Sequence, residues 1–410
     1  MLMKPLLFVL IIISLFSCQT DDADYEMVAV AIPEMMSKSE FRKSVKVQAA
    51  KPTVNVGKIY AYQDFIFITD AFKGVHIIDN SNPSAPKAIA YLKIPGNEDI
   101  SIKNNYLYAD SATDLVVFDI SDITNVQVVD RLEDVFSIYD YQIPRDAEYA
   151  DFSNYDFENN VVISWRIVKE RREKVDNSLL VFNDAAFSTA AESSVGVGGS
   201  LARFQIIDNY LYTVGSSALS IFNISNLANP IFENLQYAGW SIETMFYADH
   251  HLYLGGTNGM YIYSLENSNI PEYVSQFVHW EGCDPVVVDG NYAYLTLRGG
   301  NACGQMESVL EVIDITDKTN PTLASRHILD NPYGLGFKGA ALYVCDGTSG
   351  LKVFDKTNPL ELQQTQSFTD IYAKDVIPLH NSLLMIGEKA LYQYSYNENA
   401  LQLISTFHLD

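Results

Sequence analysis

A strand-like segment closing on an apolar or aromatic pair recurs along the chain, and its period constrains the fold more than any other feature. The pairs are Ile66-Phe67, Leu107-Tyr108, Leu211-Tyr212, Leu252-Tyr253, Ala293-Tyr294, Leu342-Tyr343 and Leu383-Leu384. Successive second members lie 41, 104, 41, 41, 49 and 41 residues apart. Eleven or twelve residues after most of them a second strand ends, as in Gly74-Val75-His76-Ile77-Ile78-Asp79 and Leu115-Val116-Val117-Phe118-Asp119. Turns such as Asn82-Pro83, Asn229-Pro230, Asn320-Pro321 and Asn358-Pro359 then stop the chain. A further apolar alternation follows, for example Ala88-Ile89-Ala90-Tyr91-Leu92. Each unit therefore reads as four short strands. A lone sheet of this kind cannot bury both apolar faces, whereas like sheets stacked round an axis can. Rungs of a parallel β-helix are much shorter than 41 residues. The expected fold is all-β, a β-propeller of four-stranded blades.

The 104-residue gap sets the blade count. Within it, Asn159-Asn160-Val161-Val162-Ile163 is similar to Asn104-Asn105-Tyr106-Leu107-Tyr108, and Leu179-Leu180-Val181-Phe182-Asn183 is similar to a second strand. The spacings match those of the unit around Tyr294, so eight blades are expected, with seven blades and a long excursion as the alternative. Irregular insertions are placed within residues 138–198. The run Lys169-Glu170-Arg171-Arg172-Glu173-Lys174 reads as the solvated tip of a hairpin.

The ends supply an address. Lys4, an apolar run from Leu6 to Phe16, and Ser17-Cys18 form a leader too short to span a bilayer comfortably. Leu15-Phe16-Ser17 ahead of Cys18 resembles a bacterial lipobox, in which Cys18 is lipidated. The acidic cluster Asp21, Asp22, Asp24 resembles the surface-export signals of Bacteroidetes lipoproteins. The expected organisation is a signal peptide over 1–17, a lipidated flexible tether and lead-in over 18–53, and one propeller domain over 54–410. The expected location is the outer membrane, with the cell surface favoured over the periplasmic face. Lys and Arg number 27 against 51 Asp and Glu, a net charge of −24 that repels phosphate backbones and argues against nucleic acid.

The strands Val75-His76-Ile77-Ile78-Asp79 and Leu115-Val116-Val117-Phe118-Asp119 resemble the LVIVD repeat. That resemblance implies a β-propeller in an exported bacterial protein, and it brings no catalytic residues to place on this chain.

Candidate site residues follow from propeller geometry. The strands lining a channel begin near Lys58, Asp99, Arg203, Glu243, Asp284 and Asp375, which places mixed charges at one mouth. Carboxylates there can hold Ca²⁺ if backbone oxygens and water complete the shell, or they can satisfy strand-start amides and pair with Lys58 and Arg203. No cofactor is required by any motif. Loops between the two recurring strands present Trp165, Arg166, Arg298, Tyr333 and Asp346, with Trp280 nearby, as stacking surfaces and donors for a glycan, peptide or protein partner. Cys283 and Cys303 can form a disulfide in an oxidising compartment. No zinc-binding His spacing, nucleophile elbow or phosphate loop occurs. The leading functional expectation is a noncatalytic extracytoplasmic binding or scaffold lipoprotein. The alternatives are a hydrolase or lyase at the channel mouth and a metal-stabilised assembly protein.

Overall fold

The computed structural model describes residues 25–137, 144, 147–156, 158–173, 195–279, 285–299, 307–397 and 400–409. Seven antiparallel units follow one another in sequence order, spanning residues 56–93, 100–132, 204–237, 246–278, 286–328, 335–368 and 375–408. We number them sheets 1 to 7. In each, four strands pair with their sequence neighbours, the connection that short loops allow most simply. Sheet 1 is widened to six strands by Lys46–Ala49 on its outer edge and Val197–Gly198 on its inner edge.

An eighth sheet has a different construction. Asn160–Glu173, where an eighth blade was expected, is a single 14-residue strand. It runs antiparallel to Tyr25–Ser37, whose other edge carries Tyr149–Ala150. The count is thus seven four-stranded units and one three-stranded sheet. The likeness of Asn159-Asn160-Val161-Val162-Ile163 to a blade strand reflects β-propensity, which cannot name the partner strand. Its supposed companion at 179–183 lies outside the described residues. The charged run is no hairpin tip: Lys169 to Arg172 stand opposite Ala29 to Glu26 in this sheet. The Arg171 guanidinium lies 4.7 Å from the Tyr25 ring centre, and Arg172 pairs with Glu170 at 3.0 Å.

Of the expected tether and lead-in over 18–53, the part from Tyr25 onward is built into the fold, and residues 18–24 lie outside the described residues. The strand Tyr25–Ser37 is followed by the helix Lys38–Lys43, N-capped by Ser37. Arg42 on that helix bonds the buried Asp114 of sheet 2 through Nε at 2.9 Å and Nη2 at 3.1 Å. Thr53 N then donates to Leu409 O at 2.8 Å, beside sheet 7.

Two local devices repeat. The residue ending the third strand closes an Asx or Ser turn: Asp79, Asp119, Asn223, Asp314 and Asp355 each accept the amide two residues ahead at 2.8–2.9 Å. At the equivalent position Ser264 Oγ accepts from Glu266 N at 3.2 Å. The fourth strand of every one of the seven sheets carries a one-residue bulge against the third. Just after the bulge stand Asn234, Ser275, Ser325, Gln366 and Ser405, and each bonds the next sheet. Ser275 Oγ donates to Lys318 O at 2.6 Å, Ser325 Oγ to Pro359 O at 2.8 Å, and Asn234 Nδ2 to Asn269 O at 3.2 Å. Gln366 Oε1 accepts from Leu401 N at 3.1 Å. Ser405 of sheet 7 donates to Pro83 O of sheet 1 at 2.6 Å, so the last unit grips the first in the same way.

The core lies between neighbouring sheets. Ile59, Ile66, Ile68 and Ile78 of sheet 1 pack with Ile377, Leu384, Ile386 and Leu391 of sheet 7. Tyr108 and Tyr212, second members of the recurring pair, are fully buried yet donate to Leu227 O at 2.8 Å and Ser268 O at 2.5 Å of the following sheet. One side chain thereby fills the wedge and satisfies its own polar tip.

Candidate functional site

The first strands of all seven sheets begin at one cavity of about 290 Å³. Lys58, Glu98, Arg203, Glu243, Pro285, Tyr333 and Lys374 line it, Lys58 in the first strand of sheet 1 and the others just ahead of the first strands of sheets 2 to 7 in order. Phe72 and Arg298 reach it from loops after the second strands. A repeat that gives each blade the same geometry leaves this position free to vary in chemistry, which is why it is cationic, acidic, apolar and phenolic in turn.

Two of the cations are already engaged. Lys58 Nζ lies 3.0 Å from Asp99 Oδ2, and burial lowers its pKa despite that partner. Arg203 pairs with Glu98 through Nη1 and donates to Val214 O through Nε at 3.0 Å. Behind them Asp110 Oδ1 accepts from Asn97 Nδ2 at 2.7 Å, Glu98 N at 2.8 Å and Asp99 N at 3.0 Å. Burial, helped by the Glu98 charge, pushes the Asp110 carboxyl up to about 7. On the opposite wall the Arg298 guanidinium sits 4.2 Å from the Tyr333 ring centre, and Tyr372 donates to the Tyr333 hydroxyl at 2.8 Å. Burial alone raises the Tyr333 phenol, but the bond from Tyr372 and the Arg298 charge together hold it below the usual tyrosine range. Lys374 Nζ donates to Val56 O, and burial lowers its pKa.

A glycine-rich segment runs behind this mouth and touches sheets 1, 2, 6 and 7. Val197–Gly198 pairs with Tyr60 and Ala61, and Gly196 N donates to Ile102 O at 2.9 Å. Ser200 Oγ donates to Asp375 Oδ1 at 3.2 Å and accepts from Leu335 N at 2.8 Å. A Cβ on Gly199 would lie 1.9 Å from Asp375 Oδ2, and one on Gly196 would lie 2.1 Å from the Tyr60 ring, so no larger residue fits either place. The segment also lines a second cavity of about 410 Å³, together with Phe204, Met245, Phe246, Val287, Leu335 and Phe337 among others.

Of the residues expected at the mouth, Lys58, Arg203 and Glu243 line the cavity, joined by Arg298 and Tyr333 from the expected ligand face. Asp99 and Asp375 do not: both are buried, bonded to strand-start amides, with Asp375 pushed up to about 7 by burial. Asp346 is also buried, accepting from Asn331 N at 2.7 Å and pairing with Lys352. Trp165 lines a narrow crevice beside Glu98, Asp110 and Arg203 and meets Phe152 edge-on at 5.7 Å, while Arg166 is exposed on its strand. Asp284, Trp280, Cys283, Cys303 and Cys18 lie outside the described residues. Glu98 and Lys374 were missed by a single residue, since successive strand positions face opposite ways and the mouth takes the residue just before Asp99 and Asp375. The glycine spacing at 196, 198 and 199 was the available sign of that segment.

This arrangement can seat a small polar ligand against fixed charges and ring faces. Among the described residues no group of three or more His, Cys, Asp or Glu side chains is placed to hold a metal ion. No curated protein matches the chain. Among solved structures, the Pseudomonas aeruginosa periplasmic gluconolactonase PpgL aligns with a TM-score of 0.52 and 9% identity, over 86% of this chain and 96% of that one. A functionally unknown protein from Desulfotomaculum acetoxidans aligns at 0.49 and 11%, over 85% and 95%. Kluyveromyces lactis Hsv2 aligns at 0.47 and 13%, over 87% and 100%. At such identities a likeness speaks for the fold alone, and PpgL agrees with a propeller-like stack of sheets. The LVIVD repeat is matched at residues 55–90, 97–134, 198–235 and 283–327, within or around sheets 1, 2, 3 and 5. The chain carries the LVIVD repeat in these four places.

Proposed function

We propose that the seven sheets close into a propeller and that the protein is a noncatalytic, lipid-anchored binding protein of the cell exterior. Its charged mouth receives a glycan, peptide or protein partner. The observation carrying this reading is that one cavity collects a residue in or just before the first strand of every sheet, and that it concentrates Lys58, Arg203, Arg298 and Lys374 on a chain of net charge −24. With Lys58 and Arg203 paired to Asp99 and Glu98, the positive charges of Arg298 and Lys374 draw an anionic group to the mouth. The anchor rests on Leu15-Phe16-Ser17-Cys18 and the export reading on the acidic residues that follow.

Glycan and peptide arrays probed with the mature protein, followed by calorimetry, test the binding reading. Arg298→Ala combined with Glu243→Ala should weaken any captured ligand at least about tenfold, roughly 1.4 kcal/mol, with the melting temperature preserved. Binding indifferent to these substitutions would remove the mouth from consideration. Labelled palmitate should enter the wild-type chain and not Cys18→Ser, and labelling of both would end the anchor reading.

A further inference from the structure

We infer that the mouth accepts an acidic sugar, a uronic acid residue, with its carboxylate seated between Lys374 and Arg298. This rests on the mouth being the binding site and names the class of ligand. Lys58 and Arg203 already have carboxylate partners, at 3.0 Å for Lys58. Lys374 has none within ion-pair distance among the described residues: its ammonium donates to the backbone oxygen of Val56. Burial lowers the pKa of this ammonium, an effect that the neighbouring Tyr333, Asp375 and Glu388 offset only in part. An anion placed there reverses that penalty. Arg298 shares the cavity and offers a planar fork that matches a carboxylate.

The remaining lining selects among anions. Glu98 and Glu243 repel a phosphate dianion but accept hydrogen bonds from sugar hydroxyls. Phe72 and Tyr333 supply ring faces for the C–H surface of a pyranose. A cavity of about 290 Å³ suits one or two sugar rings rather than a folded partner's surface.

Titration calorimetry on the full mature protein tests this with di- and trisaccharides of glucuronate and galacturonate. Their neutral counterparts, acetate, inorganic phosphate and a Glu-rich peptide serve as competing probes. The uronates should bind at least about tenfold tighter than the neutral sugars. Lys374→Met should abolish that preference and Lys374→Arg restore it, with unchanged melting temperatures showing that each variant folds. Equal affinity for neutral sugars would overturn the carboxylate seat while leaving the mouth as the binding site. Uronate binding that survives both Lys374→Met and Arg298→Met would overturn both readings. Phosphate or peptide binding through Lys374 without uronate binding, or no binding by any probe, would overturn the sugar assignment.

Discussion

Asp375 occupies a position where a negative charge is poorly accommodated. Its Oδ1 accepts from Ser200 and Val376 and lies against Gly334, whereas buried Oδ2 faces Gly199 and has no hydrogen-bond partner among the described residues. Burial raises the folded-state pKa to about 7, so the folded protein keeps a proton that the unfolded chain releases near the ordinary carboxylate value. Stability from this group is therefore greatest below the ordinary range and declines as pH rises through about 7. Asp375→Asn should retain the acceptor and flatten that decline, gaining stability relative to wild type at pH 8.5 compared with pH 5 in urea titrations. Parallel curves for the two proteins would refute the assignment. Asp110, raised similarly, leaves part of the slope in place. The turn carboxylates behave oppositely: hydrogen bonds from Ser121 and Thr316 lower Asp119 and Asp314, so their contribution is present above the ordinary range and lost in acid.

At the scale of the element, a bulge followed by a polar residue turns a generic fourth strand into a coupling to the next sheet. Ser405→Ala and Ser325→Ala should each cost about 0.5–1.5 kcal/mol by chemical denaturation, and nearly additively, because they act at separate seams. Strong non-additivity would mean the seams are not independent. The apolar pairs announced the second strands, and Asp79 and Asp119 announced the turns that end the third, because both act within a few residues. The bulges were invisible, since one extra residue in an apolar strand leaves the alternation readable either way. The three-stranded sheet was misread for a related reason. Val161-Val162-Ile163 declares a strand, but its partner Tyr25–Ser37 lies more than a hundred residues upstream and carries no repeat to point to it. Lys58, Arg203 and Glu243 were legible as a mouth because strand starts recur with the period. Arg298 and Tyr333 were legible only as loop residues with suitable chemistry, and Lys374 was hidden beside the more conspicuous Asp375.

Across the whole molecule, the N-terminal arm links parts that the repeat leaves separate. It pairs with the three-stranded sheet, docks its helix on sheet 2, widens sheet 1 and meets sheet 7 through Thr53. Arg42→Ala leaves the buried Asp114 with Arg131 at 2.8 Å as its remaining guanidinium. The expected cost is about 1–3 kcal/mol, moderated by the partial exposure of Arg42. Hydrogen exchange should quicken over residues 38–49 while sheets 3 to 6 stay protected, and uniform loss of protection would show the arm to be integral to global folding. The segment from Val195 to Ser200 has a different consequence. If the seven sheets close as proposed, this segment makes the interior a cup and not a conduit. A ligand entering such a cup at the charged rim would have to leave by the same rim, so exchange would be governed by that one opening.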